Sequence, residues 1–109
     1  VIDPLDYPDF LKLEANALLL VTDSGGIQEE ASILEVPCVT VRPNTERPET
    51  IEAGVNELIE PESLAERLRT LIEDDESRAS MRGHPNLYGD GRAGERIITI
   101  LAERYLPKL

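Results

Sequence analysis

The sequence predicts an α/β fold in which a parallel sheet is flanked by helices on both sides. Two short apolar runs that do not alternate, Ala17–Val21 and Val36–Val41, read as strands buried on both faces, as in parallel sheets. Segments with helical spacing lie between and after them, set off by glycine, proline and asparagine. Alternation of this kind builds a parallel sheet covered by helices.

Taken in order, Val1 and Ile2 read as the tail of a strand entering the turn Asp3-Pro4-Leu5-Asp6. Tyr7–Glu14 reads as a helix with Phe10, Leu11 and Leu13 as its apolar residues, Pro8 tolerated in its first turn and Asn16 closing it. After the strand Ala17–Val21, Gly25–Leu34 forms the next helix. Its apolar residues Ile27, Ala31 and Leu34 recur at i, i+4 and i+7 and make one face. In Val36–Val41, Pro37 takes the first position because it cannot donate to the ladder.

Arg42–Thr50 is polar, rich in turn formers, and expected to be a loop. Val55–Ile59 is a third short strand. Pro61 opens an amphipathic helix whose stripe is Leu64, Leu68, Leu71 and Ile72, ending at Asp74-Asp75, and Ser77–Arg82 adds a short helical turn. His84–Gly91 reads as a loop, since its glycines permit positive φ and Pro85 interrupts any helix. The last helix, Ala93–Leu106, has a broad apolar side of Ile97, Ile98, Leu101, Ala102 and Tyr105. No companion surface for it is evident in so short a chain, and with the weak opening strand this suggests part of a larger protein.

Length and charge narrow the function. One hundred and nine residues suit a single small unit with a modest core. Twenty-two acidic residues against eleven basic ones give a formal charge of −11, which disfavours nucleic acid and anionic membranes as partners. Any phosphate site must therefore be local, made of backbone N–H groups and a placed arginine. Cys38 is the only cysteine, so no internal disulfide and no thiolate zinc cluster can form; it reads as a small buried hydrophobe. The longest apolar run, Ala17–Val21, falls far short of the roughly 20 residues of a membrane span. With no basic leader before an apolar stretch, the chain reads as cytoplasmic.

One constellation can carry chemistry. Val21-Thr22-Asp23-Ser24-Gly25-Gly26 lies where a buried strand gives way to a helix, a junction whose free N–H groups and helix dipole favour phosphate. Ser24 either caps the helix or contacts the phosphate, and Gly26 lets a ligand approach the backbone. The same residues also suit an ordinary turn with a helix cap. Taking Ile27 as the centre of the buried face, Glu29 lies about 160° away in solvent and Glu30 about 60° away beside the core. Glu30 is thus the carboxylate placed to accept hydrogen bonds from vicinal hydroxyls such as those of a ribose, while Gln28 is intermediate and faces outward. Arg47 can converge on the phosphate site from the next loop, or pair locally with Glu46 or Glu49.

Other classes fail on inventory. His84, the one histidine, stands before Pro85 and suits a loop better than a triad. Gly89 and Gly91 follow no buried strand, so they make neither a Walker nor a dinucleotide fingerprint.

At Thr22–Glu30 and Asn44–Glu49 the chain resembles the non-hydrolysing UDP-N-acetylglucosamine 2-epimerases, and His84–Gly91 with Glu95-Arg96-Ile97 is similar to that family's closing segment. The resemblance implies a partial, Rossmann-like C-terminal domain of a glycosyltransferase-B type fold. It makes residues 1–109 a single, incomplete nucleotide-binding domain with the N-terminal domain absent. It further implies an isomerase that interconverts UDP-GlcNAc and UDP-ManNAc by eliminating UDP to a 2-acetamidoglucal and adding it back, with no cofactor and no metal.

By match of motif, Ser24, Gly25 and Gly26 hold the diphosphate, Glu30 the ribose hydroxyls, and Arg47 the phosphate–sugar region, stabilising UDP as it leaves. The family's catalytic carboxylates belong to its N-terminal domain, so this chain alone is expected to be inactive. Its expected partners are a UDP-sugar, an N-terminal domain or partner half, and a second copy of itself. A stand-alone UDP-binding or assembly module of a split protein, or another sugar-nucleotide enzyme of the same fold, is the alternative. Glu35 stands where the family commonly has glycine, so a turn needing positive φ would be strained there.

Overall fold

A computed structural model describes residues 1–84 and 86–106. The elements run α1 (Tyr7–Ala15), β1 (Leu20–Thr22), α2 (Gly25–Leu34), β2 (Cys38–Thr40), α3 (Pro48–Glu52), β3 (Asn56–Leu58), α4 (Pro61–Glu73), α5 (Asp75–Ala79) and α6 (Ala93–Tyr105). The three strands form one parallel sheet in the order β1-β2-β3, with Leu20 opposite Cys38 and Cys38 opposite Asn56. The expected α/β architecture is present. The strands are shorter than their apolar runs, and Pro37 stands just ahead of β2, its carbonyl accepting from Leu20 N–H at 2.8 Å.

Three expectations need correction. Val1 and Ile2 belong to no strand and are exposed; among the described residues β1 is the edge of the sheet, with no further strand beside it. The polar stretch after β2 is not all loop: Pro48 opens α3, a helix too short to show an apolar period, whose one buried residue is Thr50. The helical turn near residue 77 begins two residues earlier, because the Asp74 side chain accepts from Glu76 N–H at 3.0 Å and caps α5. Pro85, expected in a loop, lies outside the described residues.

β2 is buried on both faces, so each of its residues serves a different layer. Val39 turns to one side and packs with Ile59, Leu71 and Met81, with Leu19, Leu64 and Leu68 closing the cluster. This apolar layer lies between the sheet and α4. Cys38 and Thr40 turn to the other side, towards α2 and α3, where the buried residues are largely polar: Gln28, Ser32, Thr40, Thr50 and Asn56. Burial pushes the Cys38 thiol up to about 11, as for a packed thiol out of contact with water.

The chain is elongated, 62 × 32 × 25 Å, with a radius of gyration of 17.7 Å. A compact domain of this length would have about 13 Å. The excess comes from α6, which packs closely against no other described element and leaves Ile97, Ile98, Ile100, Leu101 and Tyr105 exposed. Among the described residues, no helix is long and apolar enough to cross a membrane.

Candidate functional site

The site begins at the first turn of α2. Ser24 is its N-cap, with φ −93° and ψ 129°, and its Oγ accepts from Ile27 N–H at 3.4 Å. The Thr22 hydroxyl accepts from Ser24 N–H at 3.0 Å, which fixes the turn out of β1. Gln28 N–H reaches the Ser24 carbonyl at 3.2 Å and starts the helical ladder. The amides of Gly25 and Gly26 precede that ladder, so they have no intrahelical acceptor and lie at the positive end of the helix dipole.

Arg47 arrives at the same place from the loop after β2. A Cβ built on Gly25 would lie 3.8 Å from the Arg47 guanidinium and 3.5 Å from a Glu46 carboxylate oxygen. Glycine thus keeps the backbone open beneath a cation. Arg47 does not take its charge partner from its own loop. Its Nε donates to Glu29, its Nη1 donates to the Glu46 carbonyl at 3.1 Å, and the pair with Glu29 raises the guanidinium's already high pKa. Glu46 instead accepts from Arg42 at 3.2 and 3.1 Å. Glu29, expected free in solvent, is the residue that orients Arg47.

The loop is held by a buried polar network that the apolar pattern did not reveal. Gln28, expected to face outward, has no exposed surface. Its Oε1 accepts from the Thr45 hydroxyl at 2.5 Å and from Asn56 Nδ2 at 3.0 Å. Asn56 also donates to Thr50 Oγ1 at 3.1 Å and accepts from the Thr40 hydroxyl at 2.8 Å. Arg47 joins through its backbone: its N–H donates to Thr45 Oγ1 at 3.0 Å and its carbonyl accepts from the Thr50 hydroxyl at 2.7 Å. Thr45 and Thr50 thus fix the backbone N–H and carbonyl of Arg47, and are themselves tied by Gln28 of α2 and Asn56 of β3. The closing loop joins too, since the Tyr88 hydroxyl donates to Glu49 at 2.8 Å.

Glu30 lies on the other flank of α2, against α1. Its Oε1 accepts from the exposed Tyr7 hydroxyl at 3.1 Å, a bond that raises the Tyr7 pKa. Its Oε2 is buried and without a hydrogen-bond partner. Beside it is Glu14 of α1, 1% exposed, both of whose oxygens are also buried and unpartnered. Burial first, then the neighbouring Glu30 carboxylate, raises the Glu14 pKa to about 7. Sequence reading placed Leu13 on the apolar side of this helix, yet Leu13 is 54% exposed and Glu14 takes the interior.

Ser24, Gly25, Gly26 and Arg47 thus meet at one end of the sheet, above the carboxyl ends of β1 and β2, where ligands of open parallel sheets bind. Glu30 stands one helical turn further on. Donors from the helix start and a guanidinium suit a diphosphate, and a carboxylate suits sugar hydroxyls. His84 is not part of this cluster; its ring nitrogen contacts the Ser80 carbonyl at 3.0 Å. Among the described residues, no three His, Cys, Asp or Glu side chains converge as a metal site.

Known proteins resemble this chain in sequence and fold. A family model described as UDP-N-acetylglucosamine 2-epimerase matches residues 1–102. A UDP-N-acetylglucosamine 2-epimerase of Methanocaldococcus jannaschii is 48% identical over 103 residues, 93% of this chain and 26% of that protein. The crystal structure of the M. jannaschii UDP-GlcNAc 2-epimerase in complex with UDP-GlcNAc and UDP superposes with a TM-score of 0.76 at 47% identity, covering 94% of this chain and 27% of that one. The S. aureus MnaA–UDP co-structure matches at 0.86 and 38% identity, covering 100% of this chain and 30% of that one. The chain spans about a quarter of the length of the curated relatives it matches. Its sheet and flanking helices are a part of the glycosyltransferase-B type fold of these epimerases.

Proposed function

The chain belongs to the UDP-N-acetylglucosamine 2-epimerase family, and from that premise we propose that it is the UDP-holding part of an enzyme that interconverts UDP-GlcNAc and UDP-ManNAc. The observation that carries the proposal is the Arg47 guanidinium held beside Gly25 at the start of α2. A diphosphate seated there takes hydrogen bonds from the Gly25 and Gly26 amides and the Ser24 hydroxyl, and an ionic contact from Arg47.

The chemistry asked of this chain is leaving-group chemistry. When the bond from sugar C1 to the diphosphate oxygen breaks, the electron pair goes to UDP, and negative charge grows on the oxygen nearest Arg47. A preorganised cation and backbone dipoles stabilise that charge without reorganising, which is the efficient form of electrostatic catalysis. Glu29 and the Thr45–Thr50 clamp hold the guanidinium in place. Glu30 accepts from a ribose hydroxyl through the surface-facing Oε1, where the Tyr7 hydroxyl takes one lone pair and leaves the second free. The proton at C2 is handled by groups outside this chain, so residues 1–109 form a single nucleotide-binding domain that binds UDP without epimerising alone. A cytoplasmic location goes with this reading, because nucleotide sugars draw on the cytoplasmic nucleotide pool.

The exposed apolar side of α6 favours packing against a further body, either the rest of the length seen in the relatives or a separate polypeptide. Calorimetric titration of the 109-residue chain with UDP tests the site. Saturable binding that is lost in Arg47→Ala and weakened in Glu30→Ala supports the assignment; equal binding in all three proteins contradicts it.

A further inference from the structure

Two carboxyl groups face each other across the α1–α2 contact, and neither has an ion-pair partner among the described residues. Glu14 sits inside with both oxygens buried and unpartnered, and Glu30 turns one oxygen, Oε2, into the same space. The titratable groups around them are Tyr7 on α1, whose hydroxyl holds Glu30 Oε1 from the outside, and the Cys38 thiol on β2. No cation is among them. Two unpaired carboxylates buried side by side in low dielectric are not tolerated; a single shared proton resolves the conflict, as in any close acid pair.

We propose that Glu14 is a positioning residue of the nucleotide site, donating the pair's one proton to Glu30 Oε2 so that Glu30 stays anionic and keeps Oε1 at the surface for a ribose. This rests on the nucleotide reading above. The burial asymmetry decides which group holds the proton: Glu14 is 1% exposed and cannot be hydrated, whereas Glu30 reaches the surface and can. When the pair loses its proton, repulsion falls on the group with somewhere to go, and Glu30 swings away from its station. Loss of ribose contact then follows rising pH through the range near 7 to which Glu14 is raised. The sequence pattern alone does not show this, because a glutamate between Leu13 and Ala15 reads as helix surface.

The test uses the 109-residue chain and UDP-GlcNAc, whose phosphates carry constant charge across neutral pH. Without ligand, infrared spectroscopy of the wild-type chain at about pH 6 shows a protonated carboxylic acid band that disappears by about pH 8 and is missing in Glu14→Gln. In the wild type, affinity for UDP-GlcNAc falls about tenfold across the same interval, the factor that one pK unit of coupling represents. Glu14→Gln supplies an N–H donor that does not titrate, so its binding profile is flat. Glu14→Leu supplies no donor; it binds more weakly than Glu14→Gln at both ends of the range, yet melts at higher temperature than the wild type above neutral pH. A residue with a merely structural role would move affinity and stability together.

Absence of the acid band, or a wild-type profile that Glu14→Gln leaves unchanged, overturns the positioning role alone. Absence of binding to UDP-GlcNAc at every pH overturns the nucleotide reading and the role that rests on it.

Discussion

Asn56 is the residue whose removal tests the architecture of the site most severely. It is 2% exposed and makes three side-chain hydrogen bonds, to Thr40, Gln28 and Thr50, at 2.8, 3.0 and 3.1 Å. In Asn56→Ala each of these is lost. A buried neutral hydrogen bond contributes about 1 kcal/mol net, and a group left unsatisfied costs about 1–3 kcal/mol. Gln28 Oε1 retains Thr45 and Thr50 Oγ1 retains the Arg47 carbonyl, so only Thr40 is left without its partner. With two bonds lost at about 1 kcal/mol each and Thr40 left unsatisfied, the expected loss is about 3–5 kcal/mol, a large share of the roughly 5–15 kcal/mol that holds a small domain together. Urea unfolding followed by circular dichroism measures it, as a lower midpoint with an unchanged slope. A double-mutant cycle with Thr50→Val should show coupling, because the two side chains share a bond. A loss below about 0.5 kcal/mol, the range of ordinary surface changes, would refute the claim that this network holds the Arg47 loop.

Other outcomes follow from single features. Glu35 closes α2 in the left-handed conformation, φ 57° and ψ 39°, as suspected from the glycine common at this place in the family. Glu35→Gly relieves about 1–2 kcal/mol of strain and gives back part of it as chain entropy, so the melting temperature should rise by about 3 °C; a fall would show that Glu35 makes a compensating contact. For Glu14, the folded pKa of about 7 lies above the ordinary 4.5. The native state carries no penalty from it below pH 4.5 and loses stability as pH rises through 7, where the buried carboxyl must ionise. Chemical unfolding of wild type and Glu14→Leu across that range should show the slope only in the wild type. Arg47→Lys should not restore the UDP affinity lost in Arg47→Ala, because an ammonium cannot hold Glu29 through Nε and face Gly25 at the same time.

The sequence carried the frame of this molecule because its helices declare themselves. Ser24 as cap and the glycine pair fix the start of α2, and Pro61 with four spaced leucine and isoleucine residues fixes α4. What escaped was everything whose partner is polar and distant. The helical wheel of α2 was centred on its most hydrophobic residue, Ile27, but the deepest residue is its neighbour Gln28, a shift of about 100°. Hydropathy cannot register a glutamine whose buried Oε1 is held by Thr45 and Asn56, 17 and 28 residues away. Glu29 looked solvated for the same reason, its partner Arg47 being 18 residues off. Glu14 inverts its helix's apolar pattern, and only the packing of α1 on α2 exposes the acid pair. The motif drew attention to Ser24, the glycines, Glu30 and Arg47, whereas the residues that hold them became visible only in three dimensions.

The most direct test of the central claim is the backbone amide spectrum of the 15N-labelled chain during titration with UDP. The Gly25 and Gly26 resonances should shift in a saturable way, together with the Arg47 side-chain Nε–H signal, and the two glycine shifts should vanish in Arg47→Ala. Shifts confined to α4 or α6, or an unchanged spectrum at saturating UDP, would contradict a nucleotide site at the start of α2.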